Sequence, residues 1–142
     1  MIGIASDHRG FETKQILTNY LKELGYNIID YGTTSEESVD YPIYAFKLGN
    51  DIKDNKIKFG ILICGTGIGM SIACNKVKGV RCAKVSNMEE AILSRQHNNA
   101  NVIAIASNLE NSCEIVKEFI KTEFSNIEKH KNRVEMIDNY DN

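Results

Sequence analysis

The stretch from Cys64 to Ser71 carries the residue types that most directly suggest chemistry. A thiol ends an apolar run, and Gly65, Gly67 and Gly69 follow at alternate positions. Glycines let a backbone turn sharply and aim consecutive N–H groups at an anion, and a helix that begins there adds the positive end of its dipole. The same positive field favours the reactive thiolate form of a neighbouring cysteine. The alternative interpretation is a tight strand-to-helix turn in which Cys64 only fills space.

This glycine-rich loop matches neither common nucleotide-binding pattern. A dinucleotide fingerprint that begins at Gly65 needs glycine at position 70, where the chain has Met70. A phosphate-binding P-loop needs the triplet Gly-Lys-Ser or Gly-Lys-Thr, which the sequence does not contain. The loop therefore favours a small anionic ligand or intermediate over a bound nucleotide.

Four other positions carry polar side chains that suit a binding site, each with a structural alternative. Asp7 and His8 follow the first apolar run, where an Asp can equally cap a helix. His97 closes a predicted helix, where a histidine can simply complement the helix dipole. Tyr41 precedes the only proline and offers a phenol to a ligand or to packing. The basic run 129–133 suits either anion binding or a solvated helix face.

The elements that must hold these residues alternate between short apolar runs and helical patterns. That alternation predicts a three-layer α/β/α fold in one domain over residues 1–142. The sheet is expected to be a Rossmann-like, doubly wound sheet of five parallel strands. Two Ser-x-x-Glu patterns, which begin at Ser86 and Ser107, predict capping boxes that open helices. The predicted strands are 2–5, 26–31, 59–64, 79–85 and 101–106, and the predicted helices are centred on residues 16–24, 42–48, 88–93, 110–124 and 128–139.

Composition excludes several classes of protein. The 17 Lys and Arg residues against 19 Asp and Glu residues give a net charge of −2, which argues against a protein that coats nucleic acid. No apolar run is long enough for a membrane span, and Met1 leads straight into an apolar run without a basic signal region, so we expect a cytoplasmic protein. The cysteines form no C-x-x-C pair and have no zinc-ligand spacing, which predicts reduced thiols and no metal site. Apart from Cys64, we expect the other three, Cys74, Cys82 and Cys113, to be small buried residues of the core.

The sequence as a whole resembles the type B ribose-5-phosphate isomerases, whose superfamily includes the galactose-6-phosphate isomerase subunits. The resemblance runs from the first strand to the last helix in one ordered set of motifs. Those motifs occupy residues 7–10, 31–33, 40–42, 61–69, 75–76, 94–98, 101–102 and 133–135.

The resemblance implies a reaction and roles for particular residues. Aldose and ketose interconvert through a cis-enediol without a cofactor, and Cys64 matches the base that moves a proton between C1 and C2. His97 matches the group that opens the furanose ring, and Thr66 matches a hydroxyl that relays protons between O1 and O2. Asp7 and His8 match residues at the sugar oxygens and the phosphate. The other implied substrate contacts are Tyr41, Gly65, Gly67, Ile68, Gly69, Asn98, Asn108, Lys129 and Arg133.

The resemblance also implies an assembly. Members of the family are homodimers, sometimes paired into tetramers, and each active site combines residues of both chains. These enzymes act in the pentose phosphate pathway. Cys64 and His97 are then expected on different subunits or across their boundary. Alternatives that stay open are an isomerase of a six-carbon sugar phosphate, such as allose or galactose 6-phosphate, and a non-catalytic module that binds phosphosugars.

Two positions depart from the family pattern. Asn108 stands where many relatives have arginine after the fifth strand, and Lys129 stands where they have the first arginine of the final pair. Asparagine is uncharged, and lysine lacks the bidentate fork of a guanidinium. We therefore expect a phosphate site that is weaker than the family pattern or that uses another cation, such as Arg9 or Lys131.

Overall fold

The computed structural model describes residues 1–140 and contains one sheet of five parallel strands in the order β2-β1-β3-β5-β4. The strands are β1 (Ile2–Ser6), β2 (Ile28–Asp30), β3 (Phe59–Cys64), β4 (Cys82–Lys84) and β5 (Val102–Ala106). The helices are α1 (Phe11–Glu23), α2 (Tyr41–Lys53), α3 (Ile68–Cys74), α4 (Met88–Asn98), α5 (Ser112–Lys121) and α6 (Glu128–Asp138), with a short 3-10 helix at His8–Gly10.

Helices cover both faces of the sheet, which confirms the predicted three-layer α/β/α architecture. One apolar cluster joins the sheet to α1, α4 and α5, and its helical members include Leu17, Ala91 and Phe119. The other cluster joins the opposite face to α2 and α3, with Leu48 and Met70 at its centre. Side chains of successive strand residues point to opposite faces, so a strand between two helical layers is apolar throughout. β3 has this pattern and coincides with its predicted bounds.

The two edge strands are shorter than predicted. β2 comprises three residues of the predicted 26–31, and β4 comprises three residues of the predicted 79–85. Both strands pair with a single neighbour, so their ends lack the second partner that extends a central strand. Some flanking residues join turns, as when the Tyr26 N–H donates to the carbonyl of Leu21, and others keep a single bond to the neighbouring strand, as when the Tyr31 N–H donates to the carbonyl of Ile4.

The two predicted capping boxes have different outcomes. Asn87, rather than Ser86, caps α4, because the Asn87 Oδ1 accepts the Glu90 N–H at 2.8 Å while a Glu90 carboxylate oxygen accepts the Ser86 N–H at 2.6 Å. The reciprocal capping interaction therefore joins Asn87 and Glu90, each one residue later in the chain than predicted. The prediction at Ser107 is wrong, since α5 begins five residues further on, after Asn111 in a left-handed conformation.

A buried arginine fixes the end of α4, which carries two of the predicted site residues. The Arg95 guanidinium lies between the rings of Phe59 and Phe119, 4.9 and 5.8 Å from their centroids. It donates to the backbone carbonyls of Thr122 and Ala100 at 3.0 and 2.6 Å. These bonds join the carboxyl-terminal turn of α4 to the start of β5 and the end of α5. The position of that turn is thus set by the core.

Candidate active site

The carboxyl ends of β1 and β3 form the crevice at which parallel sheets of this kind bind ligands. After β1, the chain forms β2 on one side of β1 and later forms β3 on the other side of β1. The direction in which strands are added therefore reverses between β1 and β3. Ligands of doubly wound sheets bind at such a switch point. Asp7 follows β1 there and Cys64 ends β3 there, so the topology brings together two of the predicted site residues.

Cys64 is held by the loop that follows it. Its side chain lies on the face of the sheet that α2 and α3 cover, and 5% of the residue is exposed. The Gly67 N–H donates to the Cys64 Sγ at 3.1 Å, and the Ile68 N–H donates to the Thr66 Oγ1 at 3.1 Å. One loop amide, that of Gly67, therefore faces the thiol. Two of the loop amides are already bonded to side chains of the site itself.

Close packing surrounds the glycines of the loop and makes glycine necessary at position 67, where the neighbour is backbone. Gly67 has a φ of +81°, and a Cβ there would lie 2.9 Å from the carbonyl carbon of Ile105. At Gly69 a Cβ would lie 2.6 Å from the Tyr41 ring. At Gly65 it would overlap the guanidinium of Arg9. The loop is therefore pressed against β5 on one side and covered by two surface side chains on the other.

Asp7 and His8 have defined partners at the opposite wall of the crevice. One Asp7 carboxylate oxygen accepts the N–H groups of Arg9 and Gly10 at 3.0 and 3.1 Å, so this residue does cap the short helix. The His8 Nδ1 accepts the Val39 N–H at 3.2 Å. An acceptor Nδ1 leaves the proton of a neutral imidazole on Nε2. His8 thus offers one ring N–H donor to a ligand in the crevice.

His97 and Asn98 lie at the opposite end of the strands, the end at which the parallel strands begin. They end α4, which starts beyond the carboxyl end of β4 and returns to the amino end of β5. Cys64 ends a strand of six residues, which spans about 20 Å from one edge to the other. Because both residues are fixed by rigid elements, a single chain does not bring the thiol and His97 together.

The predicted phosphate cations accompany His97 at that end of the strands. Lys129 and Arg133 are exposed on α6, which an ion pair of 2.7 Å between Arg81 and Asp138 ties to the region around β4. The structure therefore does not place them beside His8 within one chain. Asn108 lies at the carboxyl edge instead, where it lines a cavity of about 530 Å³ between the ends of β4 and β5.

A stacked histidine pair was not predicted as part of the site. The rings of His97 and His130 lie 4.4 Å apart between centroids, and the His130 Nδ1 is 2.7 Å from the Ser125 Oγ. Burial lowers the pKa of His130 below its ordinary value, and the positive charges of His97, Lys129 and Arg133 lower it further. The only signal in the sequence was its place in the basic run. His130 supports the ring face of His97.

The other thiols behave as structural residues. All four cysteines are free. Cys74 is buried, and burial raises the pKa of its thiol to about 12. Burial also raises the thiol pKa of Cys82 and Cys113, although both residues are only partly buried rather than buried as predicted. Within residues 1–140, no group of three or more His, Cys, Asp and Glu side chains is arranged to hold a metal ion.

The fold and the crevice define a Rossmann-like α/β enzyme with a thiol at its switch point, and comparison with known proteins identifies its family. The model of the ribose/galactose isomerase family matches residues 2–137. The chain therefore belongs to the ribose/galactose isomerase family, whose members are aldose–ketose isomerases. No helix in the described 140 residues has the length and apolar character that a bilayer crossing requires.

Individual relatives are similar over nearly their whole length. Ribose-5-phosphate isomerase B of Escherichia coli is 41% identical, with 96% of this chain and 93% of the relative covered. The structure of Clostridium thermocellum ribose-5-phosphate isomerase B is 43% identical with a TM-score of 0.93, covering 96% of this chain and 94% of that one. The Mycoplasma genitalium enzyme, solved with bound ribulose-5-phosphate, is 40% identical with a TM-score of 0.93, covering 98% and 94%.

The loop geometry predicts that alanine is tolerated poorly at Gly67. Gly25 also has a left-handed φ, +94°, but a Cβ there would meet nothing within 4 Å. Gly25→Ala is therefore a matched control, with an expected loss of about 1 kcal/mol in unfolding free energy from backbone strain alone. We expect a loss of about 2 to 4 kcal/mol for Gly67→Ala, because its Cβ also collides with the β5 backbone. Urea denaturation measures both, and equal losses would contradict the packing described for the loop.

Proposed function

We propose that this chain interconverts D-ribose 5-phosphate and D-ribulose 5-phosphate, as a homodimer with shared sites. The observation that carries the proposal is the Cys64 thiol, held at the switch point by an amide of a glycine-rich loop at 3.1 Å. The whole-length similarity to ribose-5-phosphate isomerases, one of them solved with ribulose-5-phosphate, supports the choice of sugar. A single-domain, cytoplasmic enzyme of sugar phosphate metabolism follows from the same proposal.

The proton transfer uses the thiol and the loop. The Cys64 thiolate removes a proton from the carbon beside the carbonyl and returns it to the neighbouring carbon, so that a cis-enediolate forms and collapses. Backbone N–H groups of residues 65–69 stabilise the negative oxygens of that intermediate. The Thr66 hydroxyl, which is exposed beside the sulfur, carries a proton between O1 and O2. No step requires a metal or an organic cofactor.

Access to the sulfur requires movement of its neighbours. The residue is 5% exposed, and the loop is covered by Arg9 over Gly65 and by Tyr41 over Gly69. Both covering side chains belong to exposed residues and are free to turn outward when a sugar phosphate binds. Tyr41 then contacts the ligand from the start of α2. His8 donates its Nε2–H to a sugar oxygen, and Asp7 holds the crevice wall in place.

The second copy supplies what the first cannot reach. His97 opens the furanose ring by proton transfer, and Asn98 beside it contacts the open chain. The topology of the sheet fixes both at the opposite end of the strands from the thiol of their own chain, and β3 alone is about 20 Å long. We place the amino ends of the strands of one chain beside the carboxyl ends of the strands of the other. In such a dimer, α6 packs beside the end of α4 and brings Lys129 and Arg133 to the phosphate. Asn108 adds an uncharged contact from the first chain.

An exposed apolar face marks where the copies meet. Ile68 and Ile72 are one turn apart on α3 and are 54% and 63% exposed. Ile43 and Phe46 on the neighbouring helix α2 are 52% and 40% exposed. This face lies on the side of the sheet to which the Cys64 side chain points, so a partner seated on it lies on the same side as the thiol. A second copy is the occupant that also supplies the missing His97.

The function is tested by assaying the chain with ribose 5-phosphate and replacing the thiol. We expect Cys64→Ala to lower kcat/KM by about 10²- to 10⁴-fold, because a general base contributes that much, while ribose 5-phosphate still binds in calorimetry. Cys113→Ala, which alters a thiol on α5, is the control and should leave the rate unchanged.

Three results would contradict the proposal. Tight binding without any turnover by the wild type would favour a non-catalytic phosphosugar-binding module. A higher kcat/KM on allose 6-phosphate or galactose 6-phosphate than on ribose 5-phosphate would favour a six-carbon substrate. Full activity of Cys64→Ala would remove the thiol from the mechanism.

The dimer is tested at the α3 face. We expect Ile72→Glu to shift the chain from dimer to monomer in sedimentation and to remove the activity, because a carboxylate is costly to bury in an apolar interface. Far-ultraviolet circular dichroism should stay unchanged, since Ile72 is mostly exposed in the single chain. Leu24→Glu, which alters an exposed apolar residue at the end of α1, is the matched control. A fully active Ile72→Glu dimer would place the interface elsewhere.

A further inference from the structure

We propose that Arg9 binds the phosphate group of the substrate from the same chain that supplies Cys64. This inference rests on the proposed function and adds a residue to it. Arg9 occupies the short helix between β1 and α1, where its backbone is fixed. The Asp7 carboxylate accepts the Arg9 N–H, and a Cβ at Gly10 would lie 2.8 Å from the carbonyl oxygen of Ile63, so the short helix is pressed directly against β3.

The Arg9 side chain extends from this fixed backbone over the catalytic loop. Its guanidinium occupies the space that a Cβ on Gly65 would need, with the Cζ, Nη1 and Nε atoms all in contact distance of that position. Gly65 is the residue after Cys64. The guanidinium therefore covers the loop at the mouth of the switch-point crevice, and when it turns outward to admit the sugar it stays at that mouth, away from the reacting carbons.

No carboxylate in residues 1–140 neutralises the charge of this guanidinium. The ion pairs in the described residues join Lys14 with Asp30, Lys56 with Asp51 and Arg81 with Asp138. Arg9 takes part in none of them, and its guanidinium has no hydrogen-bond partner among residues 1–140, whereas its backbone N–H is bonded to Asp7. The residue is exposed. A guanidinium without a carboxylate partner beside a site for an anionic substrate has its planar fork of donors available for a phosphate.

The surroundings of the crevice carry negative charge that such a cation offsets. Asp7 lies in the crevice wall, and the segment that follows β2 carries Glu36, Glu37 and Asp40 and is attached to His8 through the Val39 N–H. A phosphate dianion that enters from this side meets negative charge. Asn108 at the end of β5 is neutral.

The other cation at the carboxyl edge is poorly placed to help. The Nζ of Lys84 donates to the Ser86 Oγ at 2.7 Å, and β4 is separated from β3 by β5. Lys14 at the start of α1 is buried and bonded to Asp30 at 2.6 Å. Arg9 is thus the cation of the described chain that both lies at the β1–β3 crevice and has no other partner.

A phosphate role and a role at the reacting carbons have different kinetic signatures. A phosphate on C5 is at the far end of the sugar from C1 and C2, so a group that binds it contributes equally to the substrate and to the transition state. Its loss raises KM with little change in kcat. A group that stabilises the enediolate contributes only in the transition state, and its loss lowers kcat.

The experiment compares Arg9→Ala and Arg9→Lys with the wild type. We expect the KM for ribose 5-phosphate to rise about ten-fold or more in Arg9→Ala, because a charge-assisted hydrogen bond is lost, with kcat within about three-fold. The inhibition constant of inorganic phosphate should rise in parallel. Arg9→Lys should be intermediate, because a lysine retains the charge without the fork. Lys22→Ala, an exposed cation at the far end of α1, is the charge-matched control and should behave as the wild type.

Calorimetry with inorganic phosphate and ribose 5-phosphate separates failure of this inference from failure of the proposed function. A wild type that turns over no ribose 5-phosphate but binds it more tightly than Arg9→Ala does would remove the function and keep the phosphate role. A KM and a phosphate affinity of Arg9→Ala within two-fold of the wild type would overturn the inference. So would a fall in kcat with KM unchanged, because it would assign the guanidinium to the reacting carbons. Circular dichroism verifies folding, and Arg9→Gln replaces any variant that fails it.

Discussion

The direction of a parallel sheet is the constraint on which the rest of this protein depends. Every strand points the same way, so residues that follow strands gather at one edge and residues that end helices gather at the other. Cys64 belongs to the first group and His97 to the second. Neither can cross the sheet, because β3 is buried on both faces and the end of α4 is fixed by the Arg95 guanidinium. A site that needs both groups must be built by two chains.

Much of the fold follows from short-range patterns in the sequence. β3 was predicted at its observed bounds because burial on both faces leaves a continuous apolar run between polar turns. The ends of the edge strands β2 and β4 were not, because their flanking residues keep at most single bonds to one neighbour, such as that from the Val85 N–H to the Ala104 carbonyl, and no local pattern shows where such a one-sided ladder stops. The pattern at Ser107 failed for a tertiary reason. The Thr13 hydroxyl donates to the Ser107 carbonyl at 2.7 Å, and a turn continues from there to Asn111.

The sequence predicts those residues of the candidate site whose place depends on the order of strands and helices along the chain. It does not predict contacts that depend on how separate helices and strands pack against one another. The thiol, the glycines and Asp7 follow strands, so their place at the carboxyl edge could be inferred from the alternation of elements. The stacking of His130 on His97 joins α6 to α4, and the placement of Arg9 over Gly65 joins two strand ends. Such contacts depend on rotamers and on helix docking angles, which no local pattern specifies. The two departures from the family pattern were the one hint in the sequence that led to the proposal for Arg9.

The shared site is tested most directly by mixing two inactive variants. Cys64→Ala lacks the proposed base and His97→Ala lacks the proposed ring-opening group, so each is expected to form dimers with two defective sites. Subunit exchange between equal amounts would give hybrids in which one site carries both defects and the other carries none. The account predicts recovery of about a quarter of the wild-type activity, since half of the dimers are hybrids with one intact site. Mixtures that exchange subunits, as mass spectrometry can verify, and yet remain inactive would contradict it.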